Sequence, residues 1–285
     1  MSHRTPWVIA GIAVGVAFLL FASLMMVNAL RDSGPLIAGK SVGLVEVEGV
    51  ISDSRRIVRE IRRLSKEPDI PVILLSVNSP GGVVTPSHEI YSELKQAKAR
   101  GKKLVVSMGT LAASGGYYIS SPADCIVANP STITGSIGVI MEFPQMEGLF
   151  KKLGISVEVV KSRELKDIGS PYRPMKPEEK ELLRDMVLDV YDQFVGVVAE
   201  GRRLPKDSVE KMADGRIFSG RQAQKLGLVD SLGTLQDAIR IAGNLAGIKG
   251  EPKVVRLPRP FRLRDFLSED VGSRLFMPRL EYVFR

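Results

Sequence analysis

Apolar and polar positions change rhythm along the chain, and each rhythm predicts a different element. From Trp7 to Leu30 no ionisable side chain occurs, and Ser23 and Asn28 are the polar interruptions. A helix needs about 20 apolar residues to cross the hydrocarbon core, so this run predicts a single membrane anchor. A cleavable signal peptide is the rival, with Val27 and Ala29 as small residues before a cut. Its apolar region, however, ordinarily spans only about 7–15 residues. Asp32-Ser33-Gly34-Pro35 reads as a linker. No later segment is long and apolar enough to span again.

Beyond the linker, short β-branched runs alternate with segments of helical spacing. Strands are predicted at residues 42–47, 72–77 and 104–108, with shorter ones at Ile126-Val127-Ala128 and Val157-Glu158-Val159-Val160. The run Val72-Ile73-Leu74-Leu75-Ser76-Val77 is apolar on both faces and predicts a buried strand. Helices are predicted at 54–64, 85–100, 112–120, 219–227 and 234–246. Pro177 opens a long amphipathic helix with Leu183, Val187, Val190, Phe194 and Val197 on its apolar face. Glu178 and Glu179 in its first turn suit the helix dipole. Strands separated by helical crossovers imply a parallel sheet in an α/β layered fold. The chain then divides into a cytoplasmic N-terminus (1–6), an anchor (7–30), a linker (31–40), one body (41–250) and a tail of unknown role (251–285).

Composition narrows the chemistry more than the architecture. The chain has 285 residues, 44% hydrophobic and 25% charged, enough for one sizeable domain. Its single cysteine, Cys125, makes no internal disulfide, and with only His3 and His88 a thiolate or histidine metal site is not expected. The net charge of +8 is spread among interleaved acids, with a local excess at Lys253, Arg256, Arg259, Arg262 and Arg264. No nucleic-acid motif accompanies it, so a solvated basic face or lipid headgroups are the expected partners. Arg4 and the amino terminus precede the apolar run, whereas Arg31 and Asp32 nearly cancel after it. The positive-inside bias then leaves the body on the extracytoplasmic side of the cell membrane.

Candidate chemistry clusters at two strand ends. Asn78-Ser79-Pro80-Gly81-Gly82 follows the buried strand, and paired glycines allow positive φ and close backbone approach. Successive N–H groups in such a turn can converge on an anion or oxyanion. It lacks the Gly-Lys-Ser/Thr ending of a phosphate loop. Ser114, in Leu111-Ala112-Ala113-Ser114-Gly115-Gly116, follows the next strand among small residues that let a substrate backbone approach. A serine hydroxyl needs a base to become a nucleophile. His3 lies ahead of the apolar run, and His88 sits in a helix where it caps or packs. Lysine is then the more plausible base. It must lose its proton near neutral pH, which apolar surroundings promote.

Four segments occur in order: Asn78-Ser79-Pro80-Gly81-Gly82, Ala113-Ser114-Gly115-Gly116-Tyr117-Tyr118, Thr134-Gly135-Ser136-Ile137-Gly138-Val139 and Lys166-Asp167-Ile168-Gly169-Ser170-Pro171. Together they resemble the signal peptide peptidase A family of Ser–Lys serine proteases, over about residues 40 to 245. The resemblance implies a Clp-protease/crotonase-like spiral of ββα units. It implies Ser114 as nucleophile, Lys166 as general base, Ser136 orienting the lysine, and Gly82 and Gly115 donating N–H groups to the oxyanion. Lys161 is the rival base. The family often has Lys-Ser-Gly ahead of the basic residue, where this chain has Lys161-Ser162-Arg163. The resemblance further implies remnant signal peptides and apolar extended peptides as substrates, a homo-oligomeric ring with the dyad completed within or between chains, and no cofactor or metal. A Clp-type protease would place a His roughly 25 residues beyond the serine, where this chain has Gly138-Val139-Ile140. A crotonase-type acyl-CoA enzyme would not need Ser114 and Lys166 together, and an inactive peptide-binding scaffold would not need the dyad intact.

Overall fold

The computed structural model describes residues 39–257 and 280–283, with Gly15, Phe18 and Leu19 in helical conformation. Most of the expected anchor therefore lies outside the described residues. Among those described, no helix is long and apolar enough to cross a membrane.

The strands are β1 (Val42–Glu48), β2 (Val72–Ser79), β3 (Gly81–Val83), β4 (Lys103–Ala113), β5 (Cys125–Ala128), β6 (Ile133–Gly135), β7 (Ile140–Met141), β8 (Ile217–Ser219), β9 (Ser231–Leu232), β10 (Val254–Arg256) and β11 (Leu280–Val283). The helices are α1 (Arg55–Lys66), α2 (Val84–Ala99), α3 (Gly115–Ser120), α4 (Glu147–Lys152), α5 (Pro177–Arg202), α6 (Lys206–Glu210), α7 (Gly220–Lys225) and α8 (Leu235–Leu245). The main sheet runs β10-β1-β2-β4-β5-β9 with parallel neighbours. Leu44, Leu74 and Val105 share one row across its centre. The continuous apolar run of β2 reflects this placement: helices cover both faces, so Val72 to Leu75 are all buried.

Strand β4 is longer than its apolar pattern predicts, and it turns the fold. Residues 105–108 pair with β5, whereas residues 111–113 pair with β6. Antiparallel pairing of β6 with β8 makes the sheet mixed. Ala112 and Ala113, expected at the start of a helix, are the last residues of this strand, and the helix begins at Gly115. Alanine favours a helix by local propensity, but here the pairing of Ala112 with both Ser79 and Thr134 wins. The strand expected at 157–160 does not form. Val157, Val159 and Val160 are all exposed, and a β-branched run without a neighbouring strand has nothing to close its hydrogen bonds. Val254–Arg256, expected in the tail, instead adds the edge strand beside β1.

Helix α5 divides into two halves. Val190, Phe194, Val195 and Val198 are buried, and Phe194 meets Tyr118 edge-on at 5.1 Å. Toward its N-terminus Leu182, Met186 and Leu188 are exposed, and Leu183 and Val187 of the expected apolar face are only half-buried. Phe194→Ala is expected to lower unfolding stability by about 3–5 kcal/mol, read from urea denaturation. A loss below about 1 kcal/mol would contradict the anchoring role given to this half of the helix.

Candidate active site

Ser114 stands at the junction of β4 and α3 with φ +52° and ψ −117°. A non-glycine residue in such a conformation costs about 1–3 kcal/mol, so its surroundings must impose it. They do so from both sides. Its N–H donates to the Gly135 carbonyl at 2.8 Å, and its own carbonyl accepts from the Tyr118 N–H at 2.8 Å. Tyr117 and Tyr118 behind it are fully buried, and burial pushes both phenols above their ordinary pKa. Tyr117 donates to the Leu228 carbonyl at 2.9 Å, and the Tyr118 oxygen pairs with His88 Nδ1 at 2.9 Å. His88 is thus a packing partner of the helix behind Ser114, as its position in the sequence suggests. Ser114 Oγ is buried and has no hydrogen-bond partner among the described residues.

The glycines beside Ser114 are required sterically. Gly115 rests on the Pro-Gly-Gly turn: a Cβ there would fall 2.8 Å from Ser87 Oγ, 3.1 Å from Gly81 Cα and 3.2 Å from Gly82 N. A Cβ on Gly82 would lie 2.3 Å from the Ile51 carbonyl oxygen, and its φ of +157° is one that L side chains rarely adopt. Gly115 opens α3, so its N–H has no partner within the helix. Ser136 continues β6 past the Ala113–Gly135 pair, which sets it beside Ser114, and it too has positive φ, +49°. Four of the five expected site residues therefore come together: Ser114, Ser136, Gly82 and Gly115.

Lys166 does not join them within the single chain. It lies exposed on a 3-10 turn, Glu164–Asp167, and makes no hydrogen bond to Ser114. From Gly138 to Glu178 no residue is buried. A charge cluster that sequence reading missed ties this segment to α5. Arg173 donates to Asp167 through Nε at 2.9 Å and Nη2 at 2.8 Å, and to Glu179 through Nη1 at 2.9 Å and Nη2 at 2.5 Å. Glu179, whose side chain is 1% exposed, also accepts the Lys176 N–H at 2.9 Å, satisfying a backbone donor at the helix start. The Lys-Pro-x-Glu spacing at the helix start is the signal that could have revealed it. Lys161, the rival base, is engaged by Asp167 at 2.9 Å and the Glu164 carbonyl at 3.0 Å. Arg173 foremost, then Lys161, holds the Asp167 carboxyl below the usual range. Arg173 and the Lys176 N–H hold Glu179 down to about 2.

The groove beside Gly82 takes an extended strand. Strand β11 lies antiparallel between β3 and β7, with Tyr282 opposite Gly82, Glu281 opposite Val83 and also Ile140, and Leu280 opposite Met141. It runs alongside α3, the helix that Ser114 opens. Backbone pairing with β3 and β7 thus holds an extended segment along this groove, the mode by which a peptide is taken up as an added strand.

This fold, with a serine at a strained strand–helix turn, defines a Clp protease-like α/β serine peptidase. The pattern of Clp protease matches residues 45–127, and that of peptidase family S49 matches residues 96–249. A candidate protease of Synechocystis sp. is 44% identical over 225 residues, covering 78% of this chain and 81% of that one. A candidate signal peptide peptidase SppA of Enterococcus faecium is 37% identical over 238 residues, 79% of this chain and 69% of that one. The chloroplastic serine protease SPPA of Arabidopsis thaliana is 34% identical over 252 residues, 85% of this chain and 37% of that one. The chain belongs to peptidase family S49.

Two outcomes check the geometry. Gly115→Ala is expected to lower kcat about 10²–10³-fold, because its Cβ displaces the Gly81–Gly82 turn and with it the N–H expected to receive the oxyanion. Peptidase assays giving wild-type kcat would show that the turn has room to spare. The second outcome concerns acid. A carboxylate whose folded pKa is depressed stabilises the fold above its unfolded value, and the contribution fades as pH falls toward the folded one. For Glu179 that interval runs from 4.5 down to about 2. Hydrogen exchange in residues 161–176, corrected for intrinsic rates, should stay constant from about pH 8 to 5 and rise below about pH 4. Protection that persists to about pH 2.5, or fades between about pH 8 and 6, would contradict the cluster's role.

Proposed function

We propose that the chain is a membrane-anchored serine endopeptidase that cleaves remnant signal peptides and other apolar extended peptides on the extracytoplasmic side. Ser114 is the nucleophile and forms the acyl-enzyme. Lys166 is the general base: it takes the Ser114 proton and returns it to the leaving amine. Ser136, beside Ser114, hydrogen-bonds the lysine and orients it. The Gly82 and Gly115 N–H groups receive the oxyanion. Water then attacks the ester carbonyl, with Lys166 again the base, and Ser114 is released.

The observation that carries this reading is the Ser114 hydroxyl, buried at a strained turn without a partner. A buried hydroxyl left unpaired costs free energy, so its position favours a role that supplies the partner. Lysine is favoured over histidine because His88 is committed to Tyr118, and Lys166 over Lys161 because Lys161 is ion-paired. The Lys166-bearing segment is exposed, and Leu149, Leu153, Ile155, Val157, Val160 and Leu165 leave apolar surface open beside it. Those features suit a ring in which the lysine of one copy reaches the serine of the next, with the apolar surface covered by that neighbour. The anchor at residues 7–30 rests on the apolar run without ionisable side chains alone.

A fluorophosphonate probe tests the nucleophile and the base together. Labelling is expected at Ser114, absent in Ser114→Ala and reduced about 10³-fold or more in Lys166→Ala. Equal labelling of the Lys166→Ala protein would remove Lys166 from the mechanism.

A further inference from the structure

We propose that Arg173 is a positioning residue for catalysis, which fixes the turn carrying Lys166 and keeps Asp167 from pairing with that lysine. The inference rests on the reading of Lys166 as the base. Its starting point is mechanical. Lys166 belongs to a stretch with no buried residue, so no apolar core within the chain fixes its direction. Past the pairing of β7 through β11 to β3 at its start, what joins it to the body is a series of charge-assisted bonds. Phe194 and Val198 seat α5 in the core, Glu179 stands in the first turn of that helix, Arg173 bridges Glu179 to Asp167, and Asp167 is the residue next to Lys166. Arg173 suits this task because its planar fork satisfies two carboxylates at once, which a lysine cannot do.

The second part is electrostatic. A general-base lysine must spend time unprotonated, and a carboxylate within about 4–6 Å favours its charged form. Asp167 is the nearest such group in sequence. Its two oxygens are taken by Arg173 and Lys161 at 2.8–2.9 Å, and Lys166 forms no ion pair among the described residues. Glu164, the other acid on the turn, is engaged by Lys176. Arg173 thus has two effects on one neighbour: it holds Asp167 in place and occupies its charge.

The test uses the full-length assembled enzyme and a peptide substrate. Arg173→Ala is expected to lower kcat about 10–100-fold with little change in KM, since a base misplaced by about 1 Å costs that much. It should also move the half-maximal point of the pH–kcat/KM profile upward by about one unit, because Asp167, left with Lys161 as its remaining partner, gains an open oxygen that can stabilise the Lys166 ammonium. Adding Asp167→Asn to Arg173→Ala should return the profile to its original position while kcat stays low. Arg173→Lys should not restore kcat. If Arg173→Ala fails to assemble, Arg173→Met combined with Glu179→Gln removes the uncompensated buried charge. That protein should recover its wild-type Tm yet remain slow, and recovery of kcat together with Tm would reduce Arg173 to a structural role. An unshifted pH profile in Arg173→Ala, or wild-type kcat, would overturn the proposal. Lys166→Ala serves as the control: if it is inactive while Arg173→Ala is normal, only this inference falls, whereas an active Lys166→Ala removes the reading beneath it.

Discussion

Ser114 leaves the sheet in a conformation that side chains avoid, and the rest of the site follows from what permits it. The turn is stabilised from outside, by hydrogen bonds to Gly135 and Tyr118 and by two buried tyrosines behind it. It also needs space: Gly115 and Gly116 pass so close to the neighbouring strand end that a Cβ on either would come within 2.8 Å of another atom. Strain of about 1–3 kcal/mol is small beside the burial around it, so the core can sustain it. The outcome is a hydroxyl at the end of a central strand, buried, without a hydrogen-bond partner among the described residues and next to the Gly115 N–H.

The other half of the chemistry is built on a different principle. The body from β1 to α3 is held by apolar burial, whereas the segment that carries Lys166 is held within the chain by ion pairs and short local contacts. Phe143 packs against Gly169, Phe150 stacks on Tyr172 at 5.3 Å, and Arg173 links Asp167 to Glu179. Ser114 and Lys166 thus sit on parts of the molecule with different sources of stability. Under the proposed mechanism, an assembly that buries the exposed apolar side chains of this segment would fix Lys166 and complete the site in one event, and peptide hydrolysis would then depend on subunit concentration.

Much of this was legible in the sequence, for reasons that can be named. Val72 to Val77 is apolar on both faces because helices cover both sides of the sheet, and the Pro-Gly-Gly turn and the small residues around Ser114 mark where backbones touch. Local reasoning failed where partners decide the outcome. Ala112 and Ala113 are helix formers held in a strand by pairing on two sides, and Val157 to Val160 are strand formers with no strand to join. The pairing of residues 281–283 with residues 81–83 joins segments nearly the whole body apart, and periodicity cannot show it. The bridge from Asp167 through Arg173 to Glu179 spaces its members six residues apart across a turn, a loop and a helix start, so no single period links all three. Lys166 itself was selected by scarcity of histidine and by resemblance, not by its own surroundings.

The central claim is that Ser114 and Lys166 act together although within one chain no hydrogen bond joins them. Mixing separately inactive Ser114→Ala and Lys166→Ala proteins, after dissociation and reassembly, tests it directly. If the serine of one copy uses the lysine of the next, mixed assemblies contain intact sites and recover up to about a quarter of wild-type activity at equal proportions. Controls reassembled from either variant alone should stay inactive. A mixture that remains as inactive as its parents, with co-assembly verified by mass, would contradict a shared site.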